Sequence, residues 1–327
     1  IGRLVRVVLA LVLAVTVAGC AVSEDGGPRD IPLDDLGNFG VAVAGGEATG
    51  SALCNHPGRR RARPRTTMSN ETRDASTFVI SITPFTETGD LDAEGLRAHL
   101  QRLGRSGIGV YVAGSGSGEG YTLTLDERRR VMEIAGDELS GVVPVRVMGV
   151  EPRTAAEAIE LGRVTAEVGL DAMQLYSLDM GHGYRPRPAE LETYLTEVLD
   201  AVTCPVVIST HQSVGYRYPV GILASTVQRD EQVIGLNITT PDIAYLSAVI
   251  EAVDGAVAVH VGGPMHALTA FGLGAQGFLS SEGNLAPKLC MSLVDARAAG
   301  DGDAVSDAFI DIMRLFRATQ AAGGIVG

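Results

Sequence analysis

Lysine is nearly missing from this chain of 327 residues: Lys288 stands alone, and arginine supplies the rest of its 26 basic side chains. A mechanism that needs a lysine amine as nucleophile therefore has one residue to draw on. Basic charge as a whole is in deficit. Against 39 acidic residues it leaves a formal net charge of −13, which argues against nucleic acid or an anionic membrane as partner. Cysteine is scarce as well. Cys20, Cys54, Cys204 and Cys290 lie far apart without paired metal-ligand spacing, so no disulfide framework is expected and a reducing compartment is the default. The most glycine-rich stretch, Gly114–Gly120, contains no Gly-x-Gly-x-x-Gly and leads to no Gly-Lys-Ser/Thr. That excludes the dinucleotide fingerprint and the phosphate-binding P-loop at this joint.

What is present is enough apolar sequence, 46% of all residues, for a large buried core. The length suits one barrel-sized domain plus an appendage. The first 67 residues differ in character from the rest. Arg3 and Arg6 precede an apolar run, Val7–Ala18, too short for a confident transmembrane helix, and Val17-Ala18-Gly19-Cys20 resembles a bacterial lipoprotein cleavage box. A Gly/Pro/Arg-rich stretch follows and ends in Arg59–Arg65. Two readings stand. Either residues 1–20 are an export signal with Cys20 as the lipidated residue, or Met68 is the natural start and residues 1–67 are upstream sequence. The initial Ile1 and the abrupt change at Met68 favour the second, and with it a cytoplasmic protein. The expected organisation is a leader over 1–67 without a core, a barrel over 68–286 and C-terminal helices over 287–327, with no membrane contact from residue 68 on.

From Met68 onward, short apolar runs alternate with amphipathic helical patterns. Eight strands are expected: Phe78–Thr83, Gly109–Ala113, Val143–Met148, Ala172–Tyr176, Pro205–Thr210, Val233–Thr239, Ala256–Val261 and Gly277–Ser280. Helical patterns separate them, and Ala286–Ala299 and Ala304–Ala322 follow the last. Buried parallel strands read as apolar runs of this kind. Eight such units predict a closed (β/α)8 TIM barrel with a short C-terminal helical extension, in which chemistry sits at the C-terminal strand ends. Those ends hold Thr83, the loop Ser115–Glu119, Glu151, Tyr176 to Asp179, Ser209 to His211, Asn237, His260 and Ser280 to Asn284. Their convergence argues for an enzyme. At the second strand, the glycine-serine turn enters a helix opened by Thr124, Asp126 and Glu127. It is either a flexible joint that needs small residues, or a set of backbone N–H groups and hydroxyls suited to a carboxylate or phosphate.

Several segments resemble the dihydrodipicolinate synthase / N-acetylneuraminate lyase family of pyruvate-type aldolases. Ile82-Thr83-Pro84-Phe85 with Asp90-Leu91-Asp92 is similar to that family's opening strand and turn. Gly114–Glu119 followed by Thr122-Leu123-Thr124 stands where the family has Gly-Thr-Thr-Gly-Glu and a Thr-Leu pair. Thr154–Leu161, Gly169–Ala172, Pro205–Ile208, Gly274–Ser280 and Asn284–Lys288 match in order, so the resemblance spans residues 75–320. It implies a barrel fold, a small carboxylic acid substrate, homo-oligomers and no bound cofactor or metal. It also implies a Schiff-base lysine at the end of the sixth strand, where this chain has Asn237. The family's tyrosine proton shuttle on the fifth strand corresponds to Ser209, its Pro-Tyr-Tyr to Ser177–Met180, its arginine to Val214 and its paired threonines to Gly116 and Ser117. Lys288 falls where members often carry a structural lysine. The acid matching Glu119 is expected to order local hydrogen bonds.

The residues left to do chemistry are then few. His211 lies two positions beyond Ser209 and shares its face of the strand, so His211, Ser209 and Asn237 are the expected catalytic residues, with Asn237 donating to a carbonyl or enolate oxygen. Ser115, Gly116, Ser117, Tyr176 and His260 are the expected substrate contacts, although for His260 a core histidine bonded to backbone is the preferred reading over a catalytic one. His182 sits in a glycine-flanked loop, and a metal held by His182, His211, Asp179 and His260 has no close-spaced motif behind it. His56, His99 and His266 are read as non-catalytic. The leading reading is acid–base lyase, hydratase or isomerase chemistry on a 2-oxo or related acid without an imine. A non-catalytic ligand-binding or structural barrel is the alternative, and a lipid-anchored binding protein is the third reading.

Overall fold

The computed structural model describes residues 76–325, so the expectations for the leader lie outside the described residues. Eight parallel strands close on themselves: β1 (Ser76–Ile80), β2 (Gly109–Val112), β3 (Val145–Val147), β4 (Ala172–Tyr176), β5 (Val206–His211), β6 (Val233–Thr239), β7 (Ala258–Gly262) and β8 (Gly277–Ser280). Each pairs with the next, and β8 pairs back onto β1 from Ser76↔Gly277 to Val79↔Ser280. A helix follows every strand: α1 (Ala93–Gly104), α2 (Leu125–Leu139), α3 (Ala155–Val168), α4 (Pro188–Ala201), α5 (Val220–Arg229), α6 (Ile243–Val253), α7 (Ala267–Leu273) and α8 (Pro287–Ala299). The expected (β/α)8 barrel is therefore the fold, and α9 (Gly302–Ala321) is its C-terminal extension. The boundary expected at 286 groups α8 with α9, yet α8 packs beside β1 as the eighth helix of the barrel. No helix among the described residues is long and apolar enough to cross a membrane.

Local chemistry explains the element ends. Thr124 opens α2 with a capping box, its hydroxyl accepting from the Glu127 amide at 3.2 Å while Glu127 Oε2 accepts from the Thr124 amide at 2.9 Å. Gly169 closes α3 at φ 77°, the left-handed position that glycine takes at low cost. β1 stops short of the expected Thr83 because its ladder is taken over by side chains: the Ile82 amide donates to Asn284 Oδ1 at 3.0 Å. Asn284 Nδ2 in turn donates to the Ile80 carbonyl at 2.7 Å, which ties the end of β1 to the turn after β8. His99, half-buried in α1, bonds to the same Asn284 Oδ1, and burial lowers its pKa; its role is structural.

The glycine-serine joint between β2 and α2 is not loose. A Cβ on Gly120 would lie 2.3 Å from the Ala113 carbonyl oxygen, and one on Gly118 would lie 2.8 Å from the Gly114 nitrogen. Thr83 donates to the Gly118 carbonyl at 2.7 Å and Arg128 to the Gly120 carbonyl at 2.9 Å. Ala113 and Glu119 hold φ of 55° and 48°, a region non-glycine residues enter only when their surroundings force it. The small residues are there for close packing of backbone on backbone. Glu119 departs from its expected role: among the described residues its carboxylate bonds to nothing, and burial raises its pKa.

Candidate active site

Four of the expected site residues fall on a single register line across the sheet: Tyr176↔Ser209, Ser209↔Asn237 and Asn237↔His260. Strands in a closed barrel tilt, so a row of register partners winds along the barrel axis and does not stay at one height. The row divides accordingly. Tyr176 and Ser209 line a cavity of about 270 Å³ at the C-terminal end of the barrel, together with Gln174, His211 and Thr239. Asn237 and His260 belong to a polar floor beneath it.

The floor is closed and saturated. Asn237 is 1% exposed, and its Nδ2 donates both to Tyr111 Oη at 3.2 Å and, through a short contact, to Gln174 Oε1. Arg146 Nη1 donates to the same tyrosine oxygen at 3.3 Å while its guanidinium lies 4.2 Å over the Phe78 ring. His260 is buried against Phe78, edge to face at 5.5 Å, with Nε2 2.8 Å from Ser76 Oγ. Burial, and secondarily the Arg146 charge, push the His260 pKa down to about 3, so its ring is neutral. Asn237 has both amide hydrogens engaged and does not line this cavity, apart from its expected catalytic place, and His260 takes the core reading of the two expected for it.

The mouth holds the titratable pair. Glu151, in the turn after β3, places Oε1 2.8 Å from His211 Nε2, with side-chain exposures of 18% and 16%. Two serine hydroxyls flank the pair. Ser115 donates to Glu151 Oε1 at 3.4 Å, Ser213 lies 3.3 Å from that oxygen, and Ser213 also meets His211 Nδ1. Tyr176 stands edge to face with the His211 ring at 5.0 Å. Burial pushes the Glu151 carboxyl up, but hydrogen bonds from His211, its own backbone and Ser115, with the histidine charge, outweigh it and hold the pKa below the usual carboxylate range. Burial and the neighbouring Glu151 charge raise the Tyr176 pKa, so its phenol stays protonated. The Ser209 and Thr239 hydroxyls have no protein partner among the described residues and remain available to a ligand.

The glycine-serine loop touches this site at two points. Ser115 reaches Glu151, and Ser117 Oγ lies 2.7 Å from Ser281 Oγ, itself a lining residue, while Gly116 faces open space. The lining contains no lysine or arginine. An anionic ligand group therefore finds no cationic side chain there, and backbone N–H groups are the alternative. From the far side, Phe316, Thr319 and Gln320 of α9 complete the wall. Lys288 is exposed in the first turn of α8 and lines no part of the cavity. His182, at φ 48° between Gly181 and Gly183, stays exposed on its loop. Among the described residues no group of His, Cys, Asp and Glu is arranged to hold a metal.

Glu151 is the residue that strand-end reading named without a role. Gln174 and Arg146 were missed as parts of the floor, although each breaks an otherwise apolar strand, Ala172–Tyr176 and Val145–Val147. A larger hollow of about 420 Å³ lies on the helical side of the wall between α2 and α3, mostly apolar with Arg128 as its cation. It does not include the Glu151–His211 pair.

The closed parallel barrel and its relatives place the chain among the (β/α)8 barrels of the aldolase superfamily. More narrowly, the chain belongs to the dihydrodipicolinate synthetase family, whose model matches residues 74–326. It is 30% identical over 241 residues to a 4-hydroxy-tetrahydrodipicolinate synthase of Methanopyrus kandleri, which covers 72% of this chain and 78% of that protein. It is also 30% identical over 224 residues to the putative 2-dehydro-3-deoxy-D-gluconate aldolase YagE of Escherichia coli, over 67% of this chain and 72% of that one. Among solved structures, YagE in complex with pyruvate superposes with a TM-score of 0.70 at 26% identity, covering 75% of this chain and 83% of that one. Dihydrodipicolinate synthase from Aquifex aeolicus gives 0.69 at 25% identity, over 74% and 82%.

Proposed function

We propose that this chain is a lyase-type enzyme of the dihydrodipicolinate synthase family that acts on a small 2-oxo or related carboxylic acid by acid–base chemistry, without an imine. The observation that carries this reading is the 2.8 Å contact between His211 Nε2 and Glu151 Oε1 at the mouth. An imine needs an amine beside the substrate carbonyl, and the only lysine of the chain is exposed on an outer helix. The pair supplies what remains. Glu151 orients the ring and stabilises the imidazolium, and Nδ1 takes a proton from the carbon next to the substrate carbonyl once the Ser213 turn, whose hydroxyl and backbone amide both meet that nitrogen, swings aside. Ser209 and Thr239 donate to the enolate oxygen that develops. Backbone N–H groups of Ser115 to Ser117 hold the carboxylate. Asn237 supports this site from below through Gln174.

The family resemblance and the exposed apolar side chains at the rim, Tyr121, Leu125, Met180 and Tyr184, support assembly as a homo-oligomer. Two measurements test the chemistry. Borohydride added with pyruvate is expected to leave the mass of the chain unchanged, and proton NMR in D2O is expected to show enzyme-dependent exchange of the pyruvate methyl protons. An adduct mapped to Lys288 overturns the imine-free account. Absence of both adduct and exchange, across a panel of 2-oxo acids, would make the barrel a ligand-binding protein.

A further inference from the structure

Charge in the mouth cavity is one-sided. Its lining holds no lysine or arginine, yet it includes Glu282, 4% exposed in the 3₁₀ turn Glu282–Asn284 that follows β8. Acids are almost never buried so deeply without a paired cation, because an uncompensated charge loses its hydration. Among the described residues no cationic side chain bonds to Glu282. What holds it is a hydroxyl. Ser280 Oγ accepts from the Gly283 amide at 3.0 Å and donates to Glu282 Oε2 at 2.9 Å, and Cys290 Sγ lies 3.4 Å from the same serine oxygen. Burial is the main cause that raises the Cys290 thiol pKa to about 11, so the thiol keeps its own proton and leaves the serine's for Glu282. The turn thus fixes one carboxylate oxygen and leaves the other, Oε1, without a protein partner among the described residues.

We propose that Glu282 is the counter-charge for an ammonium group, and that the substrate is an amino-substituted 2-oxo acid. The assignment rests on the proposed lyase chemistry for the 2-oxo acid and adds to it a cationic group elsewhere on the same molecule. Glu282 follows β8 and His211 ends β5, three strands apart in the ring of eight, so the two border one cavity from different sides. At about 270 Å³ that cavity takes one small molecule. An ammonium carries three donors and no acceptor. Glu282 Oε1 takes one of them, and Ser281 and Gln320, which line the same cavity, supply oxygen acceptors for the others. The buried Ser209 hydroxyl, without a protein partner among the described residues, is left for the carbonyl oxygen. The same lining selects against a dicarboxylic 2-oxo acid, which would bring a like charge to Glu282 with no cationic side chain to offset it.

The test uses the full chain and two carboxylic acids of the same shape, 4-aminobutanoate and pentanoate, which differ by an ammonium in place of a methyl group. Calorimetric titration is expected to show 4-aminobutanoate binding on the order of 10- to 100-fold more tightly, the scale of one hydrogen bond to a charged group. In Glu282→Gln, which keeps an acceptor for Ser280, the two acids are expected to bind alike. Glu151→Gln removes the carboxylate beside His211 and is expected to keep the preference, which locates the ammonium even if Glu282→Gln fails to fold. Equal binding of the two acids to the unaltered chain, or no binding of 4-aminobutanoate, overturns the proposal. A preference that survives in folded Glu282→Gln, or vanishes in folded Glu151→Gln, overturns it too. If the preference is absent while pyruvate still exchanges its methyl protons, only this inference is lost. If the preference holds and no 2-oxo acid exchanges, the ammonium site stands and the lyase reading falls.

Discussion

His211 and His260 stand on strands two apart in one barrel, and their surroundings give them opposite properties. His260 is packed in the floor, bonded to Ser76, flanked by Phe78 and Arg146, and kept neutral down to a pKa of about 3. His211 stands at the mouth, bonded to Glu151 and Ser213 and bordered by a cavity. A histidine that cannot charge near neutral pH serves as a shaped, polar piece of core. One held between a carboxylate and a hydroxyl can move protons. Residue type and strand-end position are the same for both, so the difference lies in height along the barrel axis and in the neighbour each ring meets.

The sharpest way to break this comparison is to remove each ring. His211→Asn is expected to lower pyruvate methyl exchange on the order of 10²- to 10⁴-fold with little change in melting temperature. His260→Asn should do the reverse, leaving exchange per folded molecule close to that of the parent while stability drops. Equal losses of exchange in both variants would erase the distinction between floor and mouth. Exchange assays at matched folded fraction, checked by circular dichroism, read the outcome.

Acid sharpens the same contrast. In the unfolded chain a histidine titrates near 6.5, whereas the folded His260 takes up its proton only near pH 3. Between these values the unfolded state binds the extra proton, so stability is fully present above about pH 6.5 and declines as pH falls towards 3. The decline has a limit of about 1.4 kcal/mol per pH unit from this one group. Urea melts of His260→Gln between pH 7 and 4 are expected to show a shallower loss than the parent chain, and parallel curves would place the proton elsewhere. Asn237→Ala acts on the same floor without a titration. It orphans Gln174 Oε1 and removes a donor from Tyr111, and is expected to cost about 1–3 kcal/mol at any pH in that range.

Much of this was legible in the chain itself. Apolar runs of strand length, the capping pattern Thr124–Glu127 and the glycine at 169 carry local physics that survives into the barrel, so the fold and nearly every helix could be placed. His211 with Ser209 was found because residues two apart on a strand share a face. What a linear reading lacks is stagger. Tyr176, Ser209, Asn237 and His260 all read as strand ends, and only the tilt of the closed sheet sends the last two to the floor. Glu151 escaped a role for a related reason: its partner comes from two strands away, and no spacing within the chain announces the pair.

The smallest effect is the most specific to the mouth, and its sign follows from linkage. Glu151 is held below the usual carboxylate range in the fold, so relative to the unfolded chain it favours the native state above the ordinary pKa of about 4.3. That contribution is lost as pH falls through the lower folded value. Glu151→Gln keeps the size of the side chain but replaces a charge-assisted contact with a neutral one. At pH 7 it is expected to lose about 0.5–1.5 kcal/mol, the scale of one hydrogen bond, and the difference from the parent should shrink as pH drops below 4. For His260→Gln the gap from the parent also narrows under acid, but it begins to do so below about pH 6.5, well above the carboxylate range. A Glu151→Gln deficit that grew on acidification would mean that the carboxyl is protonated in the folded protein. The His211 ring would then have lost the anion that orients it.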